Sequence, residues 1–156
     1  GLDGNVACTP RGIITLLKEF NIDIEGQDVL IINRSNIVGK PLSQLFLKEN
    51  ATVTIAHSKT KNLKEKIKLS DIVVTAVGKA NFLGVDDFSD NTTIIDVSIN
   101  FNEFGKMCGD VSKEDYDALV NDKNCNLTPV PNGVGQMTVI ELIEQTIEIQ
   151  EKKEGK

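Results

Sequence analysis

Cysteine is scarce and unpaired in this sequence. Cys8, Cys108 and Cys125 are odd in number, widely spaced and form no C-x-x-C pair. That argues against a disulfide framework and for reduced thiols in a cytoplasmic setting. His57 is the only histidine, and no ligand cluster accompanies it, so no metal centre is expected. Base is not in excess. Lys and Arg number 17 against 23 Asp and Glu, a net charge of −6, so the footprint of a nucleic-acid binder is missing. No run approaches the roughly 18 apolar residues of a membrane span. The start of the chain has neither the basic leader nor the long apolar core of a signal peptide, and the missing initiator Met suggests a fragment or a processed start. The sequence also lacks a nucleophile elbow and a convincing acid/base pair. Its carboxylates read as scattered over helix faces and turns, so no catalytic residue is assigned.

What is present suits one domain with its own core: 156 residues, 40% of them apolar. The stretch Val29-Leu30-Ile31-Ile32-Asn33-Arg34-Ser35-Asn36-Ile37-Val38-Gly39-Lys40-Pro41 organises the rest. Its unalternating apolar run suits a strand buried on both faces, as in a parallel sheet. Pro41 suits a first helical turn, and Leu42, Leu45 and Phe46 follow at helical spacing. Strand, tight turn and helix together place backbone N–H groups against a phosphate. The turn is not a dinucleotide fingerprint, since only Gly39 of the expected glycines is there. It is not a P-loop either: Arg34 holds the place of the first Walker glycine and Pro41 that of the Ser/Thr.

Around this unit the pattern predicts alternating elements. Residues 1–8 read as a lead-in. Thr9-Pro10 reads as cap and first residue of a helix whose apolar face is Ile13, Leu16, Leu17 and Phe20. Strands are expected at 51–56, 71–77, 92–97 and 126–130. A lysine-rich helix is expected at 60–69, with Leu63, Ile67 and Leu69 turned inward. Residues 101–108, turning at Gly105, suit a hairpin, and Ser112 would cap a short acidic helix over 114–120. Val139, Ile140, Ile143 and Ile147 mark the apolar stripe of a last helix that frays into a charged tail at 151–156. The whole reads as a Rossmann-like, doubly wound α/β domain over 9–150, its mainly parallel sheet flanked by helices on both faces. Such sheets bind ligands at the carboxyl ends of their strands.

An NAD-preferring domain usually ends its second strand on Asp or Glu. Here that place holds His57-Ser58-Lys59, with Lys61 near. No carboxylate would repel a 2′-phosphate, and Arg34 and Ser58 can donate to one, which favours NADP while leaving NAD possible. Thr128-Pro129-Val130-Pro131-Asn132-Gly133-Val134-Gly135-Gln136-Met137-Thr138 reads as a rigid loop opening the last helix. Its glycines allow close approach to a flat ring, and Thr138 can bond a ligand.

These segments in order resemble the cofactor-binding half of the bifunctional methylenetetrahydrofolate dehydrogenase/methenyltetrahydrofolate cyclohydrolase family. The matching pieces are Cys8-Thr9-Pro10-Arg11-Gly12, Arg34-Ser35-Asn36-Ile37-Val38-Gly39-Lys40-Pro41, Ala51-Thr52-Val53-Thr54 with His57-Ser58-Lys59-Thr60, Asp71-Ile72-Val73-Val74 with Ala76-Val77-Gly78-Lys79, Ile95-Asp96-Val97, Gly109-Asp110-Val111 and Thr128-Pro129-Val130-Pro131. The sequence departs from the family pattern at Asn33, Ser98, Asn132 and Gln136.

The resemblance implies Asn33, Arg34 and Ser35 at the cofactor phosphates and Ser58 near the adenosine 2′-phosphate. It implies Val77 and Gly78 flanking the dinucleotide, with Ile99 and Thr138 toward the nicotinamide. It further implies a homodimer, a cytoplasmic setting in one-carbon metabolism and purine biosynthesis, and a tetrahydrofolate substrate held by an N-terminal domain that this sequence lacks. That domain carries the family's reactive Lys and Tyr, so the chain alone is expected to be inactive. The Asp3-Gly4 pair lies too close to Cys8 to be the family's substrate-binding Asp-Gly. The other reading is a non-catalytic dinucleotide-binding module; a cofactor domain of an amino-acid or shikimate dehydrogenase fits the ordered motifs less well.

Overall fold

The apolar runs become the strands of a parallel sheet. In a computed structural model describing residues 4–155, five strands make it up: β1 (Asp28–Ile32), β2 (Thr52–Ala56), β3 (Ile72–Thr75), β4 (Thr93–Asp96) and β7 (Asn126–Leu127). Their order across the sheet is β2-β1-β3-β4-β7, all parallel. A separate antiparallel pair, β5 (Asn100–Phe101) and β6 (Met107–Cys108), forms the expected hairpin. The helices are α1 (Cys8–Glu19), α2 (Gly39–Lys48), α3 (Leu63–Lys68) and α4 (Val134–Glu154). Gly1, Leu2, Asp3 and Lys156 lie outside the described residues, and with them part of the lead-in, the Asp of the Asp3-Gly4 pair and the end of the charged tail.

Strand alternation divides the core into two layers. Val29, Ile31, Ile72, Val74 and Ile95 pack against α1 and α2 through Ile13, Leu17, Leu42 and Phe46. Leu30, Ile32, Val73 and Ile94 pack on the other face with Ile67, Phe88, Val111 and Leu119. Each fully buried aliphatic or aromatic side chain contributes about 1.5–3 kcal/mol relative to exposure. Continuous apolar runs are needed because both faces of β1, β3 and β4 are covered.

Several helical expectations fail. The first helix starts at Cys8, with Ala7 rather than Thr9 at its cap position. Phe20, just past its end, is 72% exposed. Leu69 likewise lies at the cap of α3 and is 78% exposed rather than inward. The acidic helix over 114–120 is instead two short helical turns, Lys113–Asp115 and Ala118–Asp122, and Ser112 makes no side-chain capping bond.

The largest departure is α4. Its stripe Val139, Ile140, Ile143 and Ile147 is exposed, and Glu141 and Gln145 are buried in its place. The helix is turned by polar pairing with α1. Arg11 Nε lies 2.6 Å from Glu141 Oε2, Thr15 donates to Glu141 Oε1 at 2.5 Å, and Gln145 Oε1 accepts the Val6 N–H at 2.9 Å. Arg11 also reaches Glu148 through both terminal nitrogens, at 3.0 and 2.7 Å. The segment expected to fray is the last turn of this helix, which runs to Glu154 and is capped by Gly155 in the left-handed conformation.

Candidate functional site

The strand order reverses between β1 and β3, the place where a doubly wound sheet opens a crevice at its carboxyl edge. Strand register brings the ends level: Ile32 pairs with both Ala56 and Thr75, and Thr75 with Asp96. The loops carrying Asn33, Arg34, Ser35, Ser58, Val77, Gly78 and Ile99 therefore emerge along one edge.

At the reversal the turn after β1 is built around Asn33. Its Oδ1 accepts the N–H groups of Ser35 at 2.8 Å and Gly39 at 3.1 Å. Its Nδ2 donates to the Ala76 carbonyl at 2.7 Å, tying this turn to the one after β3. Ser35 Oγ in turn accepts the Val38 N–H at 3.1 Å. Gly39 is required sterically, because a Cβ there would collide with the Asn33 carbonyl and lie 2.9 Å from the Arg34 nitrogen. An asparagine side chain and one glycine thus fold a turn that usually needs several glycines.

Arg34, Ser58, Lys59 and Gly78 are exposed, and Asn33, Ser35 and Val77 are half-buried. Among the described residues Arg34 forms no ion pair. Residues 33–41 and 57–62 contain no Asp or Glu, while Arg34, Lys40, Lys59 and Lys61 are all cationic. This donor set suits phosphate groups, Arg above all through its planar fork. His57 Nδ1 accepts the Lys59 N–H at 3.2 Å, and Thr60 Oγ1 accepts the His57 N–H at 2.8 Å, so His57 organises the loop that presents Ser58.

A cavity of about 300 Å³ opens beyond β4, lined by Asp96, Ser98, Ile99, Met107 and residues 129–136. Ile99, 60% exposed, stands at this cavity. Thr138 is outside its lining; it sits one turn into α4, its hydroxyl 2.9 Å from that of Thr9. A larger cavity of about 600 Å³ lies along the free side of β7, where Leu16, Phe20, Val120, Leu127 and Ile140 make an apolar wall. It offers no charged donor to a phosphate.

Sequence reading gave no role to Asp96 and Asp110, yet both are buried behind this edge. The carboxylates are therefore not all on helix faces and turns. Asp96 accepts the Ser98 and Val111 N–H groups at 3.1 and 2.8 Å. Burial pushes its pKa up to about 6, and the charge of Asp110 adds to the push, while the N–H groups of Val111, Asp110 and Ser98 act against it. The nearby Tyr116 hydroxyl is buried. Its pKa is also raised, first by burial and then by Asp96. The available signal was the placement of Asp96 and Asp110 within short ordered motifs, but their convergence needs the fold.

Residues 7–154 match the family described as tetrahydrofolate dehydrogenase/cyclohydrolase, NAD(P)-binding domain. The chain belongs to this family. It is an NAD(P)-binding domain of the dehydrogenase/cyclohydrolase type, and the ordered motifs above are that family's. Among similar proteins, the bifunctional protein FolD of Bacillus cytotoxicus is 53% identical over 148 residues, covering 95% of this chain and 50% of that protein. FolD of Bacillus velezensis is 49% identical over 147 residues, covering 94% of this chain and 50% of that protein.

Among solved structures, the bifunctional FolD dehydrogenase/cyclohydrolase of Campylobacter jejuni superposes with a TM-score of 0.90 at 40% identity, over 97% of this chain and 52% of that one. The Trypanosoma brucei dehydrogenase-cyclohydrolase, solved with NADP cofactor and an inhibitor, gives 0.83 at 29% identity, over 95% and 51%. This chain of the dehydrogenase/cyclohydrolase family thus spans about half the length of these relatives.

Proposed function

We propose that this chain is the NADP-binding half of an enzyme that oxidises 5,10-methylenetetrahydrofolate to the methenyl form and hydrolyses that to 10-formyltetrahydrofolate. The carrying observation is the carboxylate-free, cationic edge at the strand reversal, where Arg34 and Ser58 face solvent beside Lys59 and Lys61. Arg34 and Ser58 take the 2′-phosphate. The turn shaped by Asn33 and Ser35 meets the pyrophosphate, and Val77 and Gly78 flank the dinucleotide. Ile99 borders the nicotinamide at the 300 Å³ cavity. Thr138, assigned toward the nicotinamide by the family resemblance, has its hydroxyl bonded to that of Thr9.

The bound cofactor supplies a hydride acceptor. The chain's own task is to hold that ring where the folate methylene can reach it, since orientation controls such a transfer. The folate is held by the part of the relatives that this chain does not cover. The enzyme works as a cytoplasmic homodimer, for which the hairpin β5–β6, with Phe101 and Phe104 exposed, offers an edge.

The test is a calorimetric titration of the purified chain with NADP and with NAD. NADP binds preferentially, and Arg34→Ala removes that preference by weakening NADP at least tenfold with NAD unchanged. Equal binding of the two cofactors by the unaltered chain refutes the 2′-phosphate assignment. The chain alone shows no dehydrogenase turnover; measurable turnover refutes the division of labour.

A further inference from the structure

Asp110 is fully buried and lies directly beneath the turn after β3. Its Oδ1 accepts the N–H groups of Gly78 at 3.0 Å and Lys79 at 2.9 Å, with Asn100 Nδ2 at 3.2 Å. Its Oδ2 accepts the Val77 N–H at 2.7 Å, the Thr75 hydroxyl at 2.7 Å and the Ser98 hydroxyl at 2.8 Å. Successive backbone N–H groups converging on one anion form a nest, and Gly78 at φ +76° provides the left-handed step that lets them converge. Ser98 acts twice, because its Oγ also accepts the Gly78 N–H at 3.0 Å.

The consequence concerns what the turn offers outward. In a strand-end loop the N–H groups are the usual donors to a bound phosphate. Here those of Val77, Gly78 and Lys79 are turned inward to a carboxylate of the protein itself. What the backbone of residues 77 and 78 leaves for a ligand is the Val77 side chain and the bare Cα of Gly78, a surface that packs against a flat group; the only charge on the turn is the exposed Lys79 side chain.

We propose that Asp110 and Ser98 are positioning residues that hold the 77–79 turn as a packing wall for the dinucleotide, and so set its affinity without touching it. This rests on the cofactor reading of the edge. Neither residue sits in the loops that carry Arg34 and Ser58. One bond, from Asn33 Nδ2 to the Ala76 carbonyl, joins the Arg34 turn to this one, so the pair acts on the body of the dinucleotide more than on its 2′-phosphate.

The experiment compares NADP with 2′,5′-ADP, a fragment that carries the 2′-phosphate end and lacks the nicotinamide. Both are titrated into the chain and into Ser98→Ala, Ser98→Thr and Asp110→Asn, with amide exchange followed at residues 77–79. Ser98→Ala weakens NADP about tenfold, leaves 2′,5′-ADP within about twofold, and speeds exchange at Gly78, as expected for loss of the two hydrogen bonds that Ser98 Oγ makes, one to buried Asp110 and one from the Gly78 N–H. Ser98→Thr, which keeps the hydroxyl, restores NADP binding. Asp110→Asn weakens NADP further; if it fails to fold, the Ser98 pair still decides. Equal weakening of both ligands by Ser98→Ala, or of neither, overturns the proposal. An unaltered chain that binds neither ligand refutes the cofactor reading itself, and the proposal falls with it.

Discussion

Replacing Asp96 by asparagine removes a pH dependence from the stability of this chain. The folded carboxyl has its pKa near 6, against an ordinary value of 3.8. The folded state therefore holds this proton more tightly than the unfolded state does. Stability from the group is fully present below pH 3.8 and is lost as pH rises through about 6. At about 1.4 kcal/mol for each pH unit between the two values, the whole span is worth about 3 kcal/mol, and about 2 kcal/mol of it falls between about pH 4.5 and pH 7.5. The introduced amide cannot titrate. It also exchanges one acceptor for a donor facing Val111 or Ser98, but that cost is independent of pH and cancels when the two proteins are compared at two pH values. Urea unfolding at about pH 4.5 and 7.5 measures the comparison. The unaltered chain loses about 2 kcal/mol more than the variant on going to the higher pH. Stabilities that run parallel within about 0.5 kcal/mol refute the argument that burial holds this proton.

Arg11→Ala leaves Glu141 buried with only Thr15 as partner and costs about 3 kcal/mol or more in urea unfolding. Glu141→Gln costs less, since Arg11 keeps Glu148 and stays partly in water; the reverse order would refute the buried-charge reading of the α1–α4 seam. Ile143→Glu, on the exposed stripe, changes stability by less than about 0.5 kcal/mol, whereas Leu17→Ala in the core costs about 3 kcal/mol. Equal costs would mean that α4 faces the other way. Gly39→Ala drives a methyl into the Asn33 carbonyl; it lowers stability by about 2 kcal/mol and abolishes NADP binding, and a variant that binds normally would show that the turn after β1 is not the phosphate loop.

The parallel sheet, and the carboxyl edge proposed to bind the cofactor, were legible in the sequence because strands buried on both faces must be continuously apolar. The runs at Val29–Ile32, Ile72–Val74 and Ile94–Ile95 leave no other period to follow. The turn after β1 was legible as a turn, and the phosphate-suited set Arg34, Ser58, Lys59 and Lys61 as a charge pattern, since neither needs a distant partner to be recognised. The bracing of the turn by Asn33 and the roles of Asp96, Asp110 and Ser98 were not legible. Each depends on a donor or acceptor distant in sequence, and only the tertiary fold brings residue 110 under residues 77–79.

The last helix shows the same division most plainly. Its sequence period marks a helix and an apolar stripe, and both exist. Period alone cannot say which face meets the domain. That was decided by Arg11 and Thr15 on α1, which pair with Glu141 and rotate the stripe outward. A local pattern fixes an element's conformation through its own backbone and side-chain spacing, whereas its orientation is set by the polar partners that tertiary contact supplies.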